Sequence, residues 1–350
     1  MTGQTLRVVV ATAFDVDLAA LMREREPRLE LVVEPELLPP MRHAADFAGD
    51  PSFTRTPAQQ RRFERLLLSA DALYGIPDVD PRLLARTVHD SDRLRWVHTM
   101  AAGGGSQVRD AGLTREELSA VLFTTSAGVH GDSLAEFAVF GVLAGAKHHP
   151  RLRRQQDAHE WSGRWPMRQV SDLSVLVYGV GGIGRRVAHK LRALGAHIVG
   201  VSRRGSGPVE FDEVILPESV AGVLGRVDAI VSTLPGTHAT EGLIGADVFE
   251  ALGPRTTIVN VGRGSVIDER ALIAFLTANP DAFAALDVFE IEPLDPRSPL
   301  WDLKNVIVSP HTAALTDGEE RRIAELFAEN ARRLLDGEPL LNRVDTVEFY

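Results

Sequence analysis

A glycine-rich hexapeptide, Gly-Val-Gly-Gly-Ile-Gly at 179–184, carries the strongest local sign of chemistry in this sequence. It closes an apolar, strand-like run and opens a segment with helical periodicity. Gly179 permits the tight turn, Gly181 lets the backbone approach a pyrophosphate, and Gly184 lets the helix pack close to the strand. Free N–H groups and the dipole of the following helix attract phosphates there. The motif in this context predicts a dinucleotide site. Its predicted contacts are Gly179, Gly181, Gly182, Ile183 and Gly184.

The residues after the next strand-like run bear on the choice of coenzyme. In NAD enzymes, an Asp or Glu about 20 residues further on binds the 2′-hydroxyl of the adenosine ribose. Here Ser202, Arg203 and Arg204 occupy that position, without an acid. Two guanidiniums and a hydroxyl suit a 2′-phosphate, through charge-assisted hydrogen bonds. NADP(H) is therefore predicted, with NAD(H) possible. The alternative is that both arginines are solvated loop residues.

Ordered blocks from about Trp96 to the C-terminal helix resemble the D-isomer-specific 2-hydroxy acid dehydrogenase family. They are the glycine turn, TLPGTHATEGLI (233–244), IVNVGRGSVIDERAL (258–272), AALDVFEIEP (284–293) and SPHTA (309–313). The first ninety residues match only in pattern. The resemblance implies an oxidoreductase that interconverts a 2-oxo acid and a D-2-hydroxy acid by hydride transfer.

The resemblance also implies three catalytic residues. Arg263 matches the arginine that binds the substrate carboxylate and polarises the carbonyl, a task for which the guanidinium fork is well shaped. His311 matches the acid/base that exchanges a proton with the carbonyl oxygen. Glu292 matches the carboxylate that orients this imidazole and stabilises its protonated form. Each alone could be a surface or packing residue, but together they follow successive predicted strands, where open α/β sheets bind ligands.

The family pattern adds residues of the cofactor site. Asp287 matches the residue that holds the nicotinamide carboxamide, although a buried Asp that caps a turn is an alternative. Thr237 belongs with Pro235 and Thr240 to the matching loop beside the cofactor. The further expected cofactor contacts are Leu234, Pro235, Thr240, Val261, Gly262, Asp287, His311 and Ala313.

The loop Met100–Gly104 matches the segment whose backbone amides bind the substrate carboxylate in the family. The expected contacts are Ala101, Ala102 and Gly103, in addition to Arg263 and His311. The family usually has Ala-Gly-Val-Asp there, whereas this chain has Ala-Gly-Gly-Gly at 102–105. The extra glycines predict lost side-chain contacts and a more mobile loop. The substrate is therefore the least transferable inference.

Two series of strand-like runs must position these residues. The first consists of LRVVVAT (6–12), LELVVE (29–34), ADALYG (70–75), LRWVHT (94–99) and VLFTT (121–125). The second, six-stranded series consists of LSVLVYG (173–179), AHIVGVS (196–202), DAIVST (228–233), TTIVNVG (256–262), FAALDV (283–288) and NVIVSP (305–310). Helical segments alternate with these runs, which predicts two doubly wound parallel sheets. Helices are predicted at 57–69, 81–88, 133–154 and 317–336. The segment 133–154 is predicted to be one continuous helix.

The predicted organisation is a Rossmann domain inserted in a flavodoxin-like substrate domain. Residues 1–125 and 315–350 would form the substrate domain and 126–314 the NAD(P)-binding domain, with the active site in a cleft between them. The stretch from Leu37 to Pro57 is either a surface insertion, which is favoured, or a flap. The helix 133–147 resembles the family's dimer-forming helix, so a homodimer is predicted; burial within one subunit is the alternative.

Composition excludes several other classes of protein. The net charge of −10 argues against nucleic-acid or anionic-membrane partners, and no apolar run reaches the length of a membrane span. The absence of cysteine excludes thiolate chemistry, and no metal cluster accompanies His148 and His149, which are expected to end a helix. A cytoplasmic enzyme that reduces glyoxylate or hydroxypyruvate is predicted. The alternatives are a dehydrogenase for a bulkier 2-oxo acid or, of another class, a nucleotide-sensing corepressor.

Overall fold

The computed structural model describes residues 5–347 and residue 349, which form two α/β units. One unit contains the chain up to His130 and from Leu315 onwards; the other is Gly131–Ala314. The strands of the first unit are β1 (Leu6–Val10), β2 (Leu29–Val32), β3 (Ala72–Tyr74), β4 (Trp96–Thr99) and β5 (Leu122–Thr125). Those of the second are β6 (Ser174–Tyr178), β7 (His197–Val201), β8 (Glu213–Ile215), β9 (Ala229–Ser232), β10 (Thr257–Asn260), β11 (Phe283–Leu286) and β12 (Val306–Val308).

Helices alternate with the strands in both units. In chain order they are α1 (Leu18–Arg25), α2 (Pro57–Leu68), α3 (Pro81–Asp90), α4 (Gly105–Asp110), α5 (Arg115–Ala120), α6 (Gly131–Ala146), α7 (His149–Asp157), α8 (Gly182–Ala193), α9 (Ala246–Ala251), α10 (Glu269–Ala278) and α11 (Glu319–Asp336). Helices α1 to α5 and α11 belong to the first unit, and α6 to α10 to the second.

Both sheets are parallel, and their strand orders confirm the predicted fold class. The first sheet has the order β2-β1-β3-β4-β5, as in flavodoxin-like folds. The second has the order β12-β11-β10-β9-β6-β7-β8, which contains the doubly wound Rossmann arrangement. The strand order reverses between β6 and β9, and such a switch point is where open α/β sheets bind ligands.

Local sequence explains where several helices begin. Thr56 caps α2 by accepting a hydrogen bond from the Gln59 amide, and the Gln59 side chain returns the bond to the Thr56 amide. Asp80 caps α3 by accepting a hydrogen bond from the Arg82 amide, and a proline follows the cap in both helices. Because proline lacks an N–H and has a fixed φ, it fits the first helical turn. The predicted helices at 57–69 and 81–88 are confirmed within two residues.

The core of the first unit is aromatic. Trp96 of β4 stacks on Phe327 of α11 with ring centroids 4.4 Å apart, and Tyr74 meets the same Phe327 ring edge-on at 5.1 Å. All three side chains are buried. The C-terminal helix is therefore an integral layer of the first unit, even though the second unit separates it in sequence from β5.

The stretch from Leu37 to Pro57 is held against the first unit rather than standing free as a flap. Phe47 accepts hydrogen bonds through its carbonyl from the Ala13 amide and the Thr12 hydroxyl. The Ala45 amide donates to Glu320 of α11. Leu37 is fully buried. These contacts match the surface insertion favoured by the sequence.

Two elements of the second unit differ from the prediction. The sheet has a seventh strand, β8, where the sequence predicted six. Helix 133–154 is not continuous, because His148 has φ +52° and separates α6 from α7. Pro150 at the start of α7 could not have continued α6, since proline in a helix interior removes a hydrogen bond and clashes with the preceding turn.

Helix α6 lies close against the second sheet because its contact face is small. A Cβ atom at Gly145 would lie 1.9 Å from Thr257 Oγ1, so only glycine allows this approach. Phe140 on the same helix is 46% exposed.

In the described part of the chain, no helix has both the length and the apolar character needed to cross a membrane.

Candidate active site

One edge of the second sheet gathers most of the predicted site residues. The glycine turn follows β6, Ser202 follows β7, and Leu234 follows β9. Arg263, Glu292 and His311 follow the neighbouring strands β10, β11 and β12. Because every strand is parallel, all of these segments leave the sheet at its carboxyl edge, and the glycine turn lies at the switch point.

The glycine turn has the geometry that its sequence requires. Gly179 has φ +99°, a conformation that side chains disfavour. A Cβ at Gly184 would lie 1.9 Å from the Gly179 carbonyl oxygen, so helix α8 could not approach the strand with any other residue there. No atom lies within 4 Å of a Cβ built on Gly181, which precedes the helix and is exposed. The start of α8, including Gly182 and Ile183, thus offers free N–H groups beside open space.

The predicted ribose-binding segment is braced by the strand that the sequence prediction missed. The Ser202 amide donates to the carbonyl of Ile215 in β8, at 2.9 Å. The Ser202 hydroxyl accepts from the Arg204 amide at 3.2 Å. The side chains of Arg203 and Arg204 are exposed and form no ion pair with any described residue. Both guanidiniums are therefore free to bind an anion.

The arginine turn after β10 depends on a residue that was not predicted, Asn260. Its buried side chain accepts from the Gly262 amide at 3.1 Å and donates to the Arg263 carbonyl at 3.0 Å. A Cβ at Gly262 would lie 2.5 Å from the Leu234 carbonyl, so this turn lies directly against the loop after β9. The Val261 amide joins the two segments through the Ser232 carbonyl, at 3.1 Å.

A second close approach joins the arginine turn to the segment after β11. A Cβ at Gly264 would lie 1.8 Å from the Phe289 carbonyl oxygen, which leaves room only for glycine. The Phe289 amide donates to Glu292 Oε1 at 3.0 Å. Backbone packing therefore fixes the segments that carry Arg263 and Glu292 against each other, although the two side chains share no hydrogen bond.

Glu292 and His311 form a direct pair. Glu292 Oε2 lies 2.7 Å from His311 Nδ1, and the side chains are 35% and 45% exposed. An ionised carboxylate only accepts hydrogen bonds, so Nδ1 carries the hydrogen. The other ring nitrogen, Nε2, remains available to exchange a proton. His311 has φ +54°, an uncommon backbone conformation that the surrounding contacts must maintain.

Asp287 supplies those contacts. Its Oδ1 accepts from the Ser309 hydroxyl at 2.5 Å and from the amides of Thr312 and Ala313, both at 2.9 Å. These bonds tie down the loop that carries His311. Asp287 is 1% exposed, and its Oδ2 has no hydrogen-bond partner among the described residues. One oxygen therefore caps a turn, while the other remains as an acceptor.

The loop after β9 uses its threonines internally. The Thr240 hydroxyl accepts from the Thr237 amide at 2.9 Å and donates to the Pro235 carbonyl at 2.7 Å. Pro235 is exposed and Leu234 half-buried. These bonds fix the shape of the loop, while the predicted contact of Thr240 with a cofactor remains a prediction.

The predicted carboxylate-binding loop, Met100–Gly104, belongs to the first unit and follows β4. A Cβ at Gly104 would lie 1.7 Å from Thr99 Oγ1, so this extra glycine has a packing cause. The Gly104 amide donates to the Ala101 carbonyl. The amides of Ala101, Ala102 and Gly103 donate to no described residue and remain available to a ligand.

The residues of the second unit fit a nicotinamide dinucleotide. The exposed helix start after Gly181 suits a pyrophosphate. The buried Asp287 Oδ2 lacks a donor, and a carboxamide N–H is a suitable one. The free guanidiniums after β7 suit the adenosine end. Phosphate, amide and ribose groups thus each have a complementary partner in one unit.

The adjacent histidines His148 and His149 contact different aromatic rings. The His148 ring meets Trp165 edge-on at 5.6 Å, whereas the His149 ring lies 6.0 Å from Phe283. Within the described ranges, no three His, Asp or Glu side chains are grouped so that they could hold a metal ion.

The chain is similar in sequence to known proteins. Residues 139–313 match the family described as "D-isomer specific 2-hydroxyacid dehydrogenase, NAD binding domain". The chain is similar to a glyoxylate reductase of Aeropyrum pernix, with 31% identity over 287 residues, which are 79% of this chain and 83% of the relative.

Two solved structures are similar over nearly the whole chain. One is a D-isomer specific 2-hydroxyacid dehydrogenase from Xanthobacter autotrophicus Py2 in complex with NADPH and MES; identity is 29%, the TM-score 0.75, and coverage 99% of this chain and 100% of that one. The other is an NADPH-dependent glyoxylate/hydroxypyruvate reductase from Sinorhizobium meliloti in complex with NADP and sulfate. Its identity is 26% and its TM-score 0.75, with the same coverage.

Proposed function

The chain belongs to the D-isomer specific 2-hydroxyacid dehydrogenase family, and we propose that it is an NADPH-dependent reductase of a small 2-oxo acid such as glyoxylate or hydroxypyruvate. It is thus an oxidoreductase with an NAD(P)-binding Rossmann unit. The observation that carries the proposal is the His311–Glu292 pair, at 2.7 Å, fixed beside the arginine turn at the carboxyl edge of the second sheet.

His311 is proposed as the proton donor and acceptor. Its Nδ1–H is held by Glu292, which leaves Nε2 to give a proton to the carbonyl oxygen of the oxo acid during reduction. NADPH, when bound at the second unit, would supply the hydride for the carbonyl carbon. Glu292 stabilises the charged imidazole before the proton leaves, and in the oxidative direction the same pair removes the proton from the hydroxyl group.

Arg263 is proposed to bind the substrate carboxylate and polarise its carbonyl group. Its side chain is exposed, and Nη1 donates only to the neighbouring Gly262 carbonyl, at 2.8 Å. Four other N–H groups of the guanidinium remain, enough for a bidentate contact. The amides of Ala101, Ala102 and Gly103 are proposed to bind the same carboxylate.

The preference for NADPH rests on the segment after β7. Arg203 and Arg204 form no ion pair with a carboxylate of the described residues, and a 2′-phosphate would give both guanidiniums a partner. Two structural relatives hold NADPH or NADP, which supports the same coenzyme here. We propose that Asp287 Oδ2 accepts the carboxamide N–H of the nicotinamide. The remaining contacts proposed with the coenzyme are those of Gly179, Gly181, Gly182, Ile183, Gly184, Leu234, Pro235, Thr240, Val261, Gly262 and Ala313.

The test is a panel of 2-oxo acids assayed with NADPH and with NADH, followed at 340 nm. Glyoxylate and hydroxypyruvate should give the highest kcat/KM, with NADPH preferred, and chiral chromatography should identify D-glycerate from hydroxypyruvate. Higher kcat/KM for phenylpyruvate would contradict the small-substrate proposal. Oxidation of neither coenzyme with any 2-oxo acid would contradict the reductase proposal itself.

A homodimer formed through α6 is a separate proposal. Phe140 is 46% exposed, and its ring lies 6.0 Å from that of Phe137, so the outer face of α6 carries an apolar pair. Light scattering of the protein as it elutes from a size-exclusion column should give a molar mass twice that of one chain. Phe140→Glu should yield the monomer, and an unchanged mass would contradict this interface.

A further inference from the structure

A chain of hydrogen bonds lies buried at the carboxyl ends of β4 and β5, in the first unit. Trp96 Nε1 donates to Thr124 Oγ1 at 2.8 Å, and the same hydroxyl lies 2.8 Å from His98 Nδ1. His98 Nε2 lies 3.1 Å from Ser126 Oγ, which donates to the Thr99 carbonyl at 3.0 Å. All five residues are 0% exposed.

The hydrogen-bond inventory fixes the direction of this chain. Burial lowers the pKa of His98 to about 3, so the ring is neutral and carries one N–H. Ser126 has a single hydroxyl hydrogen, which it gives to the Thr99 carbonyl. His98 Nε2 must therefore donate to Ser126, and His98 Nδ1 must accept from Thr124. Thr124 can do this because it accepts from Trp96 through a lone pair.

The chain ends where the Met100–Gly104 loop begins. Thr99 is the last residue of β4, and its hydroxyl donates to the Ala101 carbonyl at 3.2 Å. The close approach of Gly104 to Thr99 Oγ1 folds the loop back over the same residue. Both the carbonyl and the side chain of Thr99 are thereby held by hydrogen bonds at the point where the loop begins.

We propose that His98 is a positioning residue for substrate, which acts through Ser126 and Thr99 to orient the amides that bind the substrate carboxylate. This inference rests on the proposed function of the loop. It assigns a role to a histidine that cannot itself reach solvent. Both ring nitrogens bond to hydroxyls, as a buried histidine requires, and the Ser126 hydroxyl extends this contact to the Thr99 carbonyl at the start of the loop.

Hydrogen exchange tests the inference without any substrate. His98→Gln keeps an N–H donor near the Nε2 position, whereas His98→Asn ends too early to reach Ser126; both lose the same ring. The Gly104 and Ser106 amides, which close the loop by donating to the Ala101 and Gly103 carbonyls, should exchange about tenfold faster in His98→Asn and Ser126→Ala, and close to the wild-type rate in His98→Gln. Thr87→Ala is the matched control, since it removes a buried hydroxyl bonded to the Leu83 carbonyl in the same unit.

Three outcomes of that experiment would overturn the inference. They are unchanged loop exchange in Ser126→Ala, equal effects of His98→Gln and His98→Asn, and an equal effect of Thr87→Ala. If a variant fails to fold, a measurement on the wild-type protein still tests the hydrogen-bond chain. Nitrogen-15 NMR of the histidine rings should show the neutral Nε2–H form of His98. The Nδ1–H form would contradict the proposed direction of the hydrogen bonds.

Kinetics separate this inference from the proposed function. In Ser126→Ala, KM for the oxo acid should rise about tenfold while KM for NADPH stays constant, because only the carboxylate contact loosens. An equal change of both constants would overturn the positioning role. A wild-type protein that reduces no 2-oxo acid would contradict the proposed function, and the exchange experiment would then still decide whether His98 orders the loop.

Discussion

Two histidines, each near the carboxyl end of a parallel strand, have opposite environments in the two units. His311 follows β12, is 45% exposed, and has a carboxylate 2.7 Å from one ring nitrogen. His98 lies within β4, is fully buried, and has a hydroxyl at each ring nitrogen. An exposed ring with a charged partner can change its protonation state during a reaction. A buried ring between neutral groups keeps one state and holds its neighbours in place.

Apart from His311 itself, the largest effect is expected at Arg263. Arg263→Gln removes the charge and the fork of donors, so kcat/KM for the oxo acid should fall about 10²- to 10³-fold. Arg263→Lys keeps the charge, so its kcat/KM should lie between the values of Arg263→Gln and the wild type. Steady-state assays measure both. Arg270→Gln, an exposed arginine nearby in sequence, serves as the control, and an equal loss there would remove the special role of Arg263.

The carboxylate partner should matter less than the arginine but still strongly. Glu292→Gln keeps a hydrogen-bond acceptor for His311 and loses the charge, so kcat should fall about 10- to 100-fold. A matched pair exists in the first unit, where His89 Nδ1 lies 3.2 Å from Glu117. Glu117→Gln should leave kcat unchanged. Equal effects of the two substitutions would mean that the Glu292 charge has no function in the reaction.

A smaller effect is expected at the two arginines that are proposed to select the coenzyme. The double variant Arg203→Ala and Arg204→Ala should lower kcat/KM for NADPH about tenfold, because a 2′-phosphate loses its charge-assisted bonds. The value for NADH should not change, and it provides the internal control. A parallel loss with both coenzymes would indicate that these arginines do not read the phosphate.

The smallest expected effect concerns stability and belongs to His98. Its pKa is about 3 in the folded chain, below the ordinary value of 6.5. Below pH 6.5 the unfolded chain therefore binds a proton that the folded chain does not, and stability falls as the pH falls. The loss is about 1.4 kcal/mol per pH unit, or about 2 kcal/mol between pH 6.5 and 5.

Urea unfolding at pH 7.5 and pH 5 measures this loss. The decrease in unfolding free energy should be about 2 kcal/mol larger in the wild type than in His98→Gln, because other titrating groups cancel in the difference. Equal decreases in the two proteins would place His98 in a protonated or exposed state and end the contrast with His311.

Sequence predicted the elements that follow a short-range pattern. The glycine turn, the alternation of strands and helices, and the order of Arg263, Glu292 and His311 after successive strands could all be predicted from local motifs. Strand β8 was missed because three residues carry too little periodicity. Asn260 was missed because its side chain acts on a turn next to it, which no residue type alone reveals.

The contacts that sequence could not predict join distant positions. His98 meets Thr124 and Ser126 across a strand pair, and the buried His130 Nε2 lies 2.7 Å from Glu319 Oε1, 189 residues away. The sequence predicted that glycine at 104 loses a side-chain contact. The structure shows instead that the Thr99 side chain leaves no room for a Cβ there. Such pairings depend on how distant segments pack together in the folded chain, which local motifs do not reveal.

The most direct test of the account is a single turnover with His311→Gln. The rate of NADPH oxidation on mixing with glyoxylate should fall about 10²- to 10⁴-fold relative to the wild type, because the carbonyl oxygen loses its proton donor. NADPH fluorescence should show the coenzyme bound with nearly the wild-type Kd. A wild-type rate in this variant would contradict the assignment of proton transfer to His311 and, with it, the proposed contrast between the two histidines.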